Sequence, residues 1–131
     1  MRWLCLLILL FGFITIGHAA TFAERVAISK QIESQKDAKD YLYGSFFPAI
    51  GSSMNEAMKM CLNRSGASTE KFTLVANISL SGKLIDIDFE PKENNTAACF
   101  AKEAGSWSAP PPPWLDGYDA LPISMSMNIV P

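Results

Sequence analysis

Histidine is all but missing from this chain. The single one, His18, lies inside a leading stretch that reads as removable, and with it goes Cys5, one of three cysteines. Arg2 gives a positive start, and Trp3 to Ile16 is apolar except at Gly12 and Thr15. Gly17-His18-Ala19-Ala20 then offers small residues where a signal peptidase cuts. That apolar run is too short to span a bilayer, which takes about 20 apolar residues. The expectation is a cleavable signal peptide over residues 1–19, export, and no stable membrane insertion of the remainder. Without histidine, Ser-His and Cys-His catalytic pairs and histidine metal sites are excluded. No glycine-rich phosphate loop occurs either. The reading is therefore a protein that is not an enzyme and uses no cofactor.

Positive charge is also scarce. Eleven lysines and arginines face 13 aspartates and glutamates, for a net charge of −2, and the basic residues are scattered. Nucleic-acid binding calls for a basic patch or stripe, so neither a nucleic acid nor an anionic membrane surface is expected as partner. Cys61 and Cys99 are the two cysteines left after cleavage. With no CxxC spacing and no histidine partner they read as a structural disulfide in an oxidising compartment. Closing a loop of about 38 residues is worth roughly 4 kcal/mol in the chain-entropy view. The remaining chemical candidate is a carboxylate row, Asp86, Asp88 and Glu90, which Asp116 and Asp119 could join. Such a row could bind a hard cation or act as acid and base, but alternating carboxylates are also what a solvated strand face looks like.

Along the chain, Thr21-Phe-Ala-Glu24 has capping-box form. Good helix formers follow to about Tyr43, with few apolar residues and an almost wholly polar stretch from Glu33 to Asp40. Residues 20–46 thus read as a partly exposed helical segment or tether outside the core. Pro48 suits the first turn of a second helix, in which Ile50, Met54, Ala57, Met58, Cys61 and Leu62 share a face. That helix should end near Asn63. Three methionines there (Met54, Met58, Met60) read as gap-filling core rather than a metal surface.

The strongest pattern follows. Phe72, Leu74, Ala76, Ile78 and Leu80 alternate with Thr73, Val75, Asn77 and Ser79, the period of a half-buried strand. Ser81-Gly82 then reads as a two-residue hairpin turn, and Ile85, Ile87 and Phe89 alternate with Asp86, Asp88 and Glu90. That turn predicts the inner pairs Ile78 with Ile85, Ala76 with Ile87, and Leu74 with Phe89. Asn94 or Asn95 caps a helix to Ala104, with Gly105 as stop, which places Cys61 and Cys99 on two helices over one sheet face. Trp107 and Pro110 to Pro113 form a stiff connection, and Ile123, Met125, Met127 and Ile129 alternate in a last strand. The predicted fold is α+β: two layers, a three-stranded antiparallel sheet with helices on one face in the order α-β-β-α-β, preceded by an N-terminal helix.

Residues 47–131 resemble the C-terminal domain of the TonB energy-transducer family. The resemblance rests on Phe47-Pro48 ahead of the helix, the hairpin Phe72 to Phe89, the stretch Gly105-Ser-Trp107-Ser-Ala-Pro110, and Leu121 to Ile129 in the place of the final strand. It implies that fold, periplasmic residence, and binding of an extended peptide against the edge of the last strand. The chain departs from the family in its cleavable leader, in a helical segment where the long spacer would be, in its cysteine pair, and in the Arg64 to Thr69 insertion. An exposed strand edge is a template for strand addition in any protein, and Leu121 to Val130 carries no charge to blunt it. The expected site is therefore Ile123, Ser124, Met125, Ser126, Met127, Asn128 and Ile129, with a protein or peptide as partner. A homodimer would use the same edge. The alternative is a small exported inhibitor or immunity protein acting through the exposed aromatics Trp107, Trp114 and Tyr118.

Overall fold

The computed structural model describes residues 19–130; the expected signal peptide, up to His18, lies outside them. The elements are α1 (Phe22–Glu33), α2 (Lys36–Tyr41), a π-helical turn (Leu42–Phe46), α3 (Phe47–Leu62), β1 (Phe72–Ile78), β2 (Leu84–Glu90), α4 (Asn95–Ala104) and β3 (Leu121–Met127). The strands form one antiparallel sheet in the order β2-β1-β3, so β2 and β3 are both edges. This is the α+β architecture that the alternation predicts. Among the described residues no helix is long and apolar enough to cross a membrane.

The helix ends follow the capping residues. The Thr21 hydroxyl accepts from the Glu24 N–H at 3.2 Å, and the Asn94 side chain accepts from the Ala97 N–H at 2.9 Å, each satisfying a donor that the first turn leaves open. Ser34 and Gln35 interrupt the first helical run. The second run does not restart at Pro48, however, because α2 continues through the π turn into α3. Proline has no N–H to return to a carbonyl four residues back, and its ring crowds that carbonyl. Just ahead of it the Phe47 N–H reaches five residues back to the Leu42 carbonyl, the wider spacing of a π turn.

One sheet face is built for the core. Phe72, Leu74, Ala76 and Ile78 pair with Met127, Met125, Ile123 and Leu121, and these side chains face α3 and α4. Phe100 of α4 meets Phe72 at 5.7 Å and Trp107 at 5.1 Å between ring centres, both edge-on. Burying rings of this size gives about 2–3 kcal/mol each, with roughly 1 kcal/mol more for each aromatic pair. Cys61 of α3 and Cys99 of α4 are bonded, with Cα atoms 5.7 Å apart.

Residues 20–46 are not a tether. Ile32, Ala38, Tyr41, Leu42 and Phe46 are all buried in the same core, because the sparse apolar residues gather on the inner side once α2 folds back. The Tyr41 hydroxyl donates to the Pro110 carbonyl at 2.7 Å, fastening the proline run, and burial pushes its pKa up to about 12. Helices α3 and α4 cover the apolar face as expected, and α1 adds cover on the opposite one. There Val75 is paired with Ser124 and is fully buried, while the Ser29 hydroxyl of α1 bonds the Ser124 hydroxyl at 2.7 Å.

The hairpin register departs from expectation in two of its three inner pairs. The Ser79 N–H donates to the Lys83 carbonyl, so the loop is Leu80-Ser81-Gly82, with Gly82 in left-handed backbone at φ 82°. Three-residue hairpins of this kind put one extra residue into the turn. Ile78 therefore faces Leu84, and Ile85 pairs with Asn77 on the polar face, 42% exposed. A bulge at Asp86 (φ 52°) then inserts one more residue and returns Ile87 and Phe89 to the core, so that Leu74 faces Phe89 as predicted.

Candidate functional site

The two sheet edges are built differently. Backbone groups alternate sides along a strand. Because Ser79 bonds towards β2, the odd-numbered residues of β1 turn that way and the even-numbered ones turn to β3. Their β3 partners Leu121, Ile123, Met125 and Met127 thus give their backbone groups to β1, leaving those of Pro122, Ser124 and Ser126 pointing outwards. Pro122, with no N–H to give, sits at an outward position, the kind of place where a strand tolerates proline. Among the described residues no backbone hydrogen bond reaches β3 from any element but β1.

Beside this edge runs a groove of about 310 Å³ lined by Pro122 through Met127, by Ser29 and Glu33 of α1, and by Leu42, Tyr43, Phe47 and Met54. The two helical walls meet where the Tyr43 hydroxyl donates to the Glu33 carboxylate at 2.5 Å. That bond pushes the Tyr43 hydroxyl above its ordinary pKa. The π turn carries Leu42 and Tyr43 into this wall.

Of the seven edge residues expected from the sequence, five lie in the observed strand. Ile123 and Met125 are buried, Met127 and Ser124 half-buried, and Ser126 exposed. Asn128 and Ile129 fall beyond the strand, which instead begins at Leu121. Met127 already pairs with Phe72, the first residue of β1, so the residues after it have no partner to hold them extended.

The β2 edge is covered at its start and charged farther along. Its first residue's neighbour Lys83 bridges to Ser108, and the Ala109 N–H donates to the Gly82 carbonyl at 2.9 Å. Farther along come the Asp86 bulge and three carboxylates. Asp86 accepts from the Asn77 amide at 3.0 Å, while Arg25 of α1 donates to the Asp86 carbonyl. Asp88 takes a hydrogen bond from Lys92, which chiefly holds its carboxyl below the usual carboxylate range. Each of these two carboxylates has a local partner, and among the described residues no group of three acidic or cysteine side chains is placed to hold a metal.

Of the aromatics expected at the surface, Trp107 is buried at 5% exposure against Phe100 and Tyr118 is half-buried. Trp114 alone of the three stands out, at 66% exposed. The π turn and the docking of α1 were not foreseen. The bulge had a signal: Leu84 and Ile85 are adjacent apolar residues, and Leu84 to Ile87 is one step too many for strict alternation. The fold defines a small α+β domain with one sheet margin covered at its start and charged, and the other uncharged. No family model, no curated protein and no solved structure matches the chain.

Proposed function

We propose that this protein is an exported, periplasmic adaptor that binds an extended segment of a protein or peptide by adding it as a strand to β3. One observation carries the reading: the outward backbone groups of Ser124 and Ser126 line a groove without partners from another element, in a stretch uncharged from Leu121 to Val130. Strand addition draws its affinity from such main-chain groups and its selectivity from neighbouring pockets. The resemblance of residues 47–131 to the TonB C-terminal domain implies the same mode, and the leader-like start of the sequence together with the disulfide favours an oxidising compartment. The inhibitor reading is weaker, since Trp107 belongs to the core.

The test places a photo-crosslinking residue at Ser126 or at Asp88 in the living cell. Capture should occur at Ser126 and not at Asp88. Ser126→Pro removes an outward N–H without touching the β1 ladder, so it should lower capture at least about tenfold while the protein stays folded. Met125→Pro would be the wrong variant, because the Met125 N–H belongs to the pairing with Leu74. Undiminished capture by folded Ser126→Pro refutes edge pairing.

A further inference from the structure

The groove beside β3 has a charge as well as a shape, and the following inference rests on the edge-pairing reading. Among the residues lining it, Glu33 is the one charged side chain. It closes the last turn of α1, its side chain accepts from the neutral Tyr43 hydroxyl, and among the described residues no lysine or arginine forms a salt bridge with it. The rest of the lining is hydroxyl-bearing or apolar, with Leu42, Phe47 and Met54 on the α3 side. A carboxylate without a cation in a groove of this kind favours an occupant that brings one and disfavours an occupant that brings another anion.

We infer that the segment bound at β3 is an extended peptide with alternating apolar side chains and one lysine or arginine set against Glu33. A second copy of this chain fits poorly. Its own edge offers no cation between Leu121 and Val130 and would bring a second Glu33 to the contact. The apolar side chains of the occupant meet Leu42, Phe47 and Met54, while its backbone meets Ser124 and Ser126. Glu33 selects among candidate strands; it does not create the affinity.

The test uses the protein produced from its full gene and synthetic ten-residue peptides of alternating valine and threonine. A single lysine, norleucine or glutamate is moved through the positions, and binding is read by fluorescence anisotropy. At one register the lysine peptide should bind about three- to fivefold tighter than the norleucine peptide, the range of a single exposed charge pair, with the glutamate peptide weakest. The ranking should disappear in Glu33→Gln and in about 0.5 M salt. It should persist in Tyr43→Phe, which keeps the carboxylate and removes only the clasp. Equal binding of the three peptides at every register overturns the charge selection and leaves edge pairing standing. Equal weakening of all three by Glu33→Gln assigns Glu33 a structural role and also overturns it. Self-association through β3 in preference to any peptide overturns the occupant. Failure of every peptide to bind overturns both the selection and the edge reading.

Discussion

The two margins of one three-stranded sheet have received opposite treatment. Along β2 a bulge, three carboxylates and the bridge from Lys83 to Ser108 oppose the docking of a further strand, which are the usual means of blunting an edge. Along β3, seven residues run without a bulge or a charge, and only Pro122 interrupts the outward donors. Both strands meet the same core through β1, so core stability does not require the difference. The edge-pairing proposal rests on this contrast.

That contrast can be broken most severely at Gly82. A side chain there would place its Cβ 1.8 Å from the Ala109 carbonyl oxygen, on a backbone at φ 82°. Gly82→Ala should therefore cost about 3 kcal/mol or more and detach the cover over the start of β2. Gly66 has φ 73° but nothing within 4 Å, so Gly66→Ala should cost only about 1 kcal/mol. Urea unfolding midpoints of the two variants make the comparison, and equal losses would show that crowding at Ala109 is not the cause.

A middle-sized effect is expected on the other margin. Ser29→Ala removes the hydroxyl bond to Ser124 and should cost about 1 kcal/mol. Hydrogen exchange should then quicken at the β3 amides more than at those of β2. The smallest effect belongs to Asp88. Its carboxyl titrates below the usual range because of Lys92, so its contribution is complete above about pH 4 and fades as the pH falls through its lowered value. Lys92→Met should cost less than about 0.5 kcal/mol at neutral pH, with the two stability curves converging in acid. A gap that widened in acid would reverse the assignment.

The inner face of the sheet, the helix caps and the cysteine pairing were legible because each rests on local chemistry. Thr21, Asn94 and the alternation from Phe72 to Ile78 act over a few residues, and Cys61 had one partner left once the leading stretch was set aside. What escaped notice depends on longer reach. Nothing local announces that Ile32 closes the same core, since Gln31 and Glu33 flank it. The hairpin register failed for a different reason. Ser81-Gly82 fits a two-residue turn, yet the loop takes in Leu80 as well, and the compensating bulge at Asp86 restored Leu74 opposite Phe89 while two other pairs changed. The edge itself was readable as an uncharged run. Its walls were not, because Glu33 and Tyr43 come together through the fold-back at Ser34-Gln35 and the π turn before Pro48.

The hydroxyl pair between Ser29 and Ser124 joins residues 95 positions apart. A chain made from its amino end produces Ser29 long before Ser124. Until the final strand arrives, α1 has no serine to meet on the far face, and β1 lacks its neighbour on one side. Closure over that face thus waits until β3 has been made, which makes it a long-range event.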